Sequence, residues 1–244
     1  MAFACALTGV AHADRFPLVG SNSAPRNGST SVNPVSGQIV SIDPTLVACT
    51  QTVTFQDVEG GPTPGTNYDG VLVAGGLLFG ERFLGQVQGA SGDFDVITGI
   101  PSSPLMPQVG APGENLDVFD YAGNVLAGLG HIGYPDIDAI GEGSISIYFP
   151  APQSQVKFDL VGGNGGTATV SFYRVNGTLI DDVVVSNLAD LSYGFGTADA
   201  SATIAGILIQ NGDASGIGVV NICYGTNATN TRVASWGSLK QIYR

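Results

Sequence analysis

Residues 144–185 read SISIYFPAPQSQVKFDLVGGNGGTATVSFYRVNGTLIDDVVV and contain four runs in which apolar and polar residues alternate. Alternation with a period of two is typical of β-strands that bury one face and expose the other. The apolar faces of the first three runs carry Ile145, Ile147 and Phe149, then Val156, Phe158 and Leu160, and then Ala168, Val170 and Phe172. The stretch therefore predicts a series of half-buried strands.

The dipeptide Asn176-Gly177 separates the last two runs. Asn-Gly between alternating runs is a strong signal for a β-hairpin, because a type I′ turn needs a positive φ at both central residues. A hairpin makes the sheet antiparallel, and a sheet with one apolar face needs a second layer to cover it. We therefore predict an all-β, antiparallel β-sandwich.

Apolar runs on both sides of this stretch are further strand candidates. They lie within residues 45–57, 71–87, 116–129, 204–210 and 218–224. Glycine and proline cluster between the runs, which is the composition of turns and loops. Residues 90–114 form the longest predicted loop, with four prolines, and long loops on β-scaffolds often carry function. Residues 45–225 are predicted to form one domain.

Three segments are predicted outside this domain. Residues 1–13, MAFACALTGVAHA, look like the hydrophobic end of a secretory signal peptide that is cleaved after Ala13. The basic residues that begin such signals are missing, which indicates a truncated leader. Residues 14–44 are rich in Ser, Asn, Pro and Gly and predict an extended arm. Residues 226–244 predict a linker and a short amphipathic C-terminal helix that carries Trp236, Leu239 and Tyr243 on one face.

Acidic residues outnumber basic ones, with 20 Asp and Glu against 8 Lys and Arg and a formal net charge of −12. Nucleic acids and anionic membranes attract basic surfaces, so we expect neither as a partner. No apolar run after the leader is long enough to span a bilayer, and we expect no membrane insertion. Together with the leader, these features predict a secreted or cell-surface protein.

The cysteines predict a disulfide. Cys5 leaves with the leader, so Cys49 and Cys223 remain near the first and last predicted strands. Two cysteines in a secreted domain suggest a bond between them, which would tie the two ends of the sandwich together. Two buried free thiols are the alternative that the sequence leaves open.

Several segments of the domain share the strand rhythm of a known family. They are TVTFQDVEGG at residues 52–61, YDGV at 68–71, ISIYFPAPQSQVKFD at 145–159, AGILIQNG at 205–212 and GVVNICY at 218–224. The chain resembles the secreted bacterial β-sandwich modules of PEP-CTERM proteins, which are similar to galactose-binding-like and lectin-like jelly rolls. The resemblance covers residues 47–224 and implies a jelly-roll-like sandwich. It departs from the modules at Asn221, where an acidic residue is common.

The resemblance also implies a structural calcium ion. Asp57 and Glu59 follow the first strand, at the position where the resembling jelly rolls place an ion. Asn221 would approach them if the first and last strands pair. Calcium takes six to eight oxygen ligands, which these side chains and nearby carbonyls would supply. Ordinary acidic loop residues are the alternative reading.

Sugar binding needs aromatic platforms with polar side chains beside them. Tyr68, Asp69, Tyr121 and Tyr134 sit at or beside predicted loops and are the candidate ligand-binding residues. Tyrosines at the strand ends of a plain sandwich are the alternative. The function predicted from these features is a secreted, non-enzymatic module that binds a glycan or a cell-surface partner, with calcium as its candidate cofactor.

Catalysis is not expected. His131 is the one histidine left after cleavage of the leader, and no Gly-x-Ser-x-Gly elbow is present. Histidine and cysteine are too few for a zinc site. Two other functions stay open: a self-assembling extracellular protein, such as a surface-layer or filament subunit that associates through its N-terminal arm, and a carbohydrate-active enzyme that uses two carboxylates.

Overall fold

The computed structural model describes residues 32–34 and 38–226, which form two stacked β-sheets. In chain order the strands are β1 (Val32–Pro34), β2 (Ile39–Ile42), β3 (Gln51–Thr54), β4 (Thr66–Tyr68), β5 (Leu72–Ala74), β6 (Leu77–Gly80), β7 (Arg82–Phe83), β8 (Val87–Ser91), β9 (Phe94–Thr98), β10 (Pro107–Gln108), β11 (Leu116–Asp120), β12 (Asn124–Gly128), β13 (Ile145–Gln153), β14 (Gln155–Gly162), β15 (Thr167–Tyr173), β16 (Leu179–Ser186), β17 (Ser192–Thr197), β18 (Ile204–Asn211) and β19 (Ile217–Gly225). The predicted antiparallel sandwich is confirmed.

Helix is nearly absent from the described residues. Two single 3-10 turns, Pro44–Leu46 and Ile137–Ala139, are the helical elements that the structure describes. Neither turn has the length needed to traverse a lipid bilayer. The predicted leader and the predicted C-terminal helix both lie outside the described residues.

The two layers have different strand orders. The seven-stranded sheet runs β1-β16-β15-β18-β13-β6-β5, and the eight-stranded sheet runs β2-β17-β14-β19-β12-β11-β4, with β3 also paired to β19. Two ribbons, β7–β10 and β8–β9, complete the fold. Most neighbours are distant in the chain, so the topology is set by long-range pairing rather than by local hairpins.

The core between the sheets contains all nine inward-facing residues predicted from the alternation in β13, β14 and β15. Aromatic rings concentrate at its centre. Phe158 lies 5.4 Å from Phe195 and 6.1 Å from Tyr193 between ring centroids, and Phe172 lies 5.3 Å from Phe195. Such contacts add stabilisation beyond the area that the rings bury.

The hairpin predicted at Asn176-Gly177 connects β15 to β16, but its turn differs from the expected type I′. Of the two residues only Gly177 has a positive φ, at 79°. The Gly177 amide donates to the Arg174 carbonyl, and the Arg174 amide donates to the Thr178 carbonyl, both at 2.9 Å. The loop is thus wider than a two-residue turn, and one left-handed glycine suffices to reverse the chain.

The predicted disulfide between Cys49 and Cys223 is present, with their Cα atoms 5.3 Å apart. It joins the segment before β3 to β19, and β3 pairs antiparallel with β19 next to the bond. The expected pairing of the first domain strand with the last is therefore confirmed. The bond closes a loop of 174 residues, which is most of the domain.

The described part of the predicted arm belongs to the sandwich. Strand β1 pairs with β16 at the edge of the seven-stranded sheet, and β2 pairs with β17 at the edge of the eight-stranded sheet. Ile39 is fully buried in the central core. The Asp181 carboxylate accepts hydrogen bonds from the amides of Gln38 and Ile39, at 2.8 and 3.0 Å. This segment therefore covers the open side between the two sheets.

Candidate functional site

The residues predicted to bind calcium are placed in two different environments. Asp57 and Glu59 lie in the exposed loop after β3. Asn221 lies in β19 opposite Thr54 of β3. Its side-chain Nδ2 donates a hydrogen bond to the Asp159 carboxylate in β14, at 3.1 Å. Within residues 38–226, no three side chains of His, Cys, Asp or Glu converge as ligands of a metal ion. Calcium at Asp57, Glu59 and Asn221 thus stays a prediction.

Three of the four residues predicted to bind a ligand lie around one loop. Asp69 accepts a hydrogen bond from the Gly113 amide at 2.7 Å, and the Tyr134 amide donates to the Gly113 carbonyl at 2.8 Å. Tyr68 directly precedes Asp69 at the edge of the eight-stranded sheet. Tyr121 lies in the turn between β11 and β12 and packs against a separate apolar cluster. The structure therefore gathers Tyr68, Asp69 and Tyr134 and leaves Tyr121 apart.

A groove of about 250 Å³ opens on the outer face of the seven-stranded sheet. Its floor is made of polar side chains on β15, β16 and β18. Alternation sends Val170 and Phe172 into the core, so Thr169 and Ser171 point outward from β15. Register then places Ser171 opposite Asp182 and Thr169 opposite Gln210. These pairings bring together two hydroxyls, a carboxylate and an amide on one floor.

The rim of this groove is apolar. The β8–β9 hairpin supplies Ile97, and the segment after it supplies Ile100 and Pro101. Leu179 faces them from the start of β16. Ile100 is 81% exposed and Leu179 is 45% exposed. Both exposed fractions are large for aliphatic side chains that lie beside the same groove. The groove therefore combines polar partners at its floor with apolar contact surface at its rim.

Polar contacts hold the β8–β9 hairpin against the sheet. The Ile97 amide donates to the Gln210 side-chain carbonyl at 2.8 Å. The Asp95 carboxylate accepts from the Ser144 amide at 3.2 Å and from the Gln88 side chain at 2.9 Å. Because these partners lie on both the hairpin and the sheet, they position one wall of the groove.

A satellite core under the groove also fixes this wall. Phe83, Leu105 and Tyr173 belong to a buried cluster outside the main core, and the rings of Phe83 and Tyr173 are 5.4 Å apart. The Gln86 side-chain Nε2 donates to the Tyr173 hydroxyl at 3.2 Å, and the Leu105 backbone amide donates to the Val175 carbonyl in the β15–β16 turn at 2.8 Å. The groove is therefore built on packed side chains and is preformed.

None of the groove residues was among the predicted ligand-binding residues. The sequence signal was present in part, since the predicted loop at residues 90–114 contributes Ile97, Ile100 and Pro101. The outward residues of β15 and β16 look like an ordinary solvated strand face in the sequence. They become a groove only because the β8–β9 hairpin lies over the same sheet.

Two buried carboxylates lie at the base of the hairpin. Glu81 is fully buried and Asp95 is 3% exposed. Burial raises the pKa of Glu81 to about 7; the charge of Asp95 adds to this rise and the Arg82 guanidinium, which contacts Glu81, opposes it. Burial likewise raises the pKa of Asp95 to about 6, against the hydrogen bonds from Gln88 and Ser144. Both groups bind protons more tightly in the folded chain than in the unfolded one.

We expect these two groups to make the protein more stable in mild acid. A carboxyl whose pKa is raised by folding contributes stability that is complete below its unfolded pKa of about 4 and that is lost as the pH rises through its folded pKa. For Glu81 and Asp95 the loss falls between about pH 4 and pH 7. The free energy of unfolding should decrease over this range by a few kcal/mol, as measured by denaturant unfolding in EDTA at each pH.

The matched control is the double variant Glu81→Gln with Asp95→Asn. Its free energy of unfolding should vary less with pH than that of the wild type, since neither replacement titrates. Equal slopes for the two proteins between about pH 4 and pH 7 would contradict the assignment.

No protein-family model matches this chain, and no similar curated protein or solved structure was found. The resemblance to PEP-CTERM-associated sandwich modules therefore stays an expectation. Function is inferred from the geometry of the groove and from the chemistry of its lining.

Proposed function

We propose that this protein is a secreted, non-enzymatic β-sandwich module that binds a glycan, as part of a polysaccharide or a cell surface, through the groove on its seven-stranded sheet. The observation that carries the proposal is that the groove has polar side chains on its floor and apolar side chains at its rim. Asp182 and Gln210 lie on the floor, while Ile100 and Leu179 lie on the rim.

A sugar matches this arrangement chemically. Its hydroxyl groups exchange hydrogen bonds with carboxylate and amide side chains, and its C–H faces pack on apolar side chains. Asp182 accepts two or more hydrogen bonds, whereas Gln210 retains donors because its carbonyl already accepts from Ile97. The volume of about 250 Å³ is just below the usual range for ligand sites, which suits one or two rings of a longer glycan.

The disulfide supports export. Bonds between cysteines persist in oxidising compartments and are rare in the cytosol, and the Cys49–Cys223 bond is formed here. The excess of acidic residues agrees with a soluble protein outside the cell and opposes binding to nucleic acid. The hydrophobic leader at residues 1–13 is the sequence feature that would direct this export.

The burial of the pKa-shifted acids supports a binding role over an enzymatic one. A glycosidase needs two carboxyl groups that reach the glycosidic bond. Glu81 and Asp95 are the pair of neighbouring carboxyls with raised pKa values at the base of the hairpin; both are buried and neither lines the groove. A polysaccharide that lies in the groove would therefore not contact either carboxyl group.

The proposal is tested by replacing the carboxylate on the floor. A glycan array identifies an oligosaccharide that the full chain binds, and calorimetry then compares Asp182→Ala with the wild type. Loss of a charged hydrogen-bond partner should weaken binding about 10- to 100-fold. Because Asp182 is only partly buried, the variant should unfold at nearly the wild-type temperature.

Asp57→Ala is the matched control, since it removes the same charge from an exposed loop that does not line the groove. It should bind the selected oligosaccharide like the wild type. Wild-type affinity in the Asp182 variant would exclude this groove as the site. Hydrolysis of the oligosaccharide by the wild type would instead favour the carbohydrate-active enzyme.

A second candidate is self-assembly through the N-terminal arm. Strands β1 and β2 pair with the edges of both sheets, and Ile39 of β2 is buried in the central core. Short edge strands of this kind can pair with the same edges of another copy. Polymers that grow with protein concentration and disappear when residues 14–44 are deleted would favour this function over glycan binding.

A further inference from the structure

A fully buried carboxylate on the outer face of the eight-stranded sheet has no ordinary hydrogen-bond partner. Asp117 lies in β11 and is 0% exposed. Its neighbours Leu116 and Val118 face the central core, so the Asp117 side chain points to the opposite face. Neither of its carboxylate oxygens accepts a hydrogen bond from a protein donor. Buried polar groups are almost always paired, so this one needs a partner that is not a protein donor.

The side chain directly across the ladder is another acceptor. Strand β11 pairs with β4 so that Asp117 is opposite Asn67. Directly opposite side chains on one face lie within about 5 Å of each other at Cβ. The side-chain carbonyl oxygen of Asn67 is also buried and without a hydrogen bond. Three oxygen acceptors thus share one small space.

The backbone of the preceding loop covers this space. Gly65 has a φ of 91°, and a methyl group at its Cα would overlap both carboxylate oxygens of Asp117. The Gly65 amide is used in the loop, where it donates to the Pro62 carbonyl at 2.8 Å. Gly65 therefore approaches the carboxylate closely without donating to it.

Among the residues in the described ranges, no positively charged group acts on the Asp117 carboxyl. Burial raises the pKa of this carboxyl to about 7. The nearby Val118 amide opposes the rise, although it does not meet hydrogen-bond geometry with either carboxylate oxygen. Burial raises the pKa of Tyr68, which is adjacent to Asn67, and the negative charges of Glu59 and Asp117 add to the rise. The surroundings thus favour a positive species between the oxygens, and none of the residues that the structure describes supplies one.

We propose that Asp117 and Asn67 bind a calcium ion. The site offers both oxygens of one carboxylate and one amide oxygen, which are hard ligands of the kind that calcium prefers. Calcium accepts irregular shells of six to eight oxygens, and water and loop carbonyls would complete this one. Magnesium demands a closer octahedral shell and fits less well.

This site differs from the predicted set of Asp57, Glu59 and Asn221, and it does not depend on the glycan groove, which lies on the other sheet. A single carboxylate gives a site of low charge, so we expect a dissociation constant of about 10⁻⁴ to 10⁻³ M, as in extracellular modules. Gly65, which covers the carboxylate, is itself partly exposed. The ion would therefore bind beneath Gly65, with this single residue between it and the solvent.

The test uses the full chain after treatment with EDTA. Calcium chloride at about 10 mM should raise the unfolding temperature by about 3–10 °C, given the expected affinity and the size of the domain. Terbium, which replaces calcium, should emit when Tyr68 is excited, since this tyrosine is adjacent to Asn67. Excess calcium should quench the emission.

The variants separate a bound ion from a bound proton. Asp117→Asn keeps the shape of the side chain and should abolish both the calcium response and the terbium emission. Asn67→Ala keeps the carboxylate and should weaken calcium binding about tenfold or more, which covers the case in which the first variant fails to fold. Asp57→Asn with Glu59→Gln should respond to calcium like the wild type.

Two outcomes would overturn the proposal. If the wild type shows no calcium response and Asp117→Asn is equally or more stable, Asp117 holds only a proton. If the response survives in Asp117→Asn and is lost in the Asp57 and Glu59 variant, the ion binds in the exposed loop instead.

Discussion

Replacing both Cys49 and Cys223 with serine is expected to lower the free energy of unfolding by up to about 5 kcal/mol. The bond closes a loop of 174 residues, and a cross-link over so long a loop removes much of the conformational entropy of the unfolded chain. Denaturant unfolding of the variant and the wild type measures the difference. This loss is comparable to the whole stability of many domains, so the variant should also express poorly.

Reduced wild-type protein is the matched control, because it lacks the bond but keeps both sulfur atoms. Cys223 is 2% exposed, so a serine hydroxyl there adds a desolvation cost that the reduced protein does not have. Reduction alone should therefore account for most of the loss. A reduced protein as stable as the oxidised one would show that the bond constrains the unfolded chain little.

The second large effect is expected at the aromatic centre of the core. Phe158→Ala should lower the free energy of unfolding by about 3–5 kcal/mol, because it removes a fully buried ring and leaves a cavity. The ring contacts Phe195 and Tyr193, which come from another strand of the same sheet. Loss of these contacts should loosen the pairing of β14 with β17 as well as the contact between the sheets.

Phe94→Ala is the control for this variant. Phe94 begins β9 and is only partly buried, so its removal should change the free energy of unfolding by less than about 1 kcal/mol. Chemical denaturation under one set of conditions compares all three proteins. Similar losses in the two variants would mean that the Phe158 site collapses around the missing ring.

The two proposed binding sites lie on opposite outer faces of the sandwich. Asp182 lines the groove on the seven-stranded sheet, and Asp117 is the proposed calcium ligand on the eight-stranded sheet. Calcium should therefore stabilise the protein without altering the chemistry of the groove floor. Glycan binding that survives EDTA would agree with this separation, whereas binding that disappears with EDTA would connect the sites.

The β-sandwich could be predicted because the alternation of apolar and polar residues follows directly from the extended conformation of the backbone. A pleated strand turns successive side chains to opposite faces, so Ile147, Phe158 and Val170 were placed inward by position alone. The disulfide was suggested by the two cysteines that remain if residues 1–13 are a cleaved leader, with two free thiols as the open alternative. The type of the turn at Gly177 did not follow, because its loop length depends on how β15 and β16 pair.

The sites could not be predicted in the same way. Thr169 and Asp182 look like a solvated strand face until the β8–β9 hairpin is placed above them. Asp117 alternates with Leu116 and Val118 as an exposed residue should, yet loops cover its side of the sheet and bury it completely. Ile39 reads as part of a polar arm and instead fills the core.

The amino-acid sequence by itself determined the class of the fold and the inward faces of the central strands, because both follow from local periodicity. It suggested the cysteine pair but left two free thiols open. Only the tertiary structure decided the register of distant strands, and with it which outward residues meet. Register depends on contacts between different strands, many of them distant in the chain, such as β3 with β19. The groove at Asp182 and the acceptor pair of Asp117 and Asn67 both arise at that level.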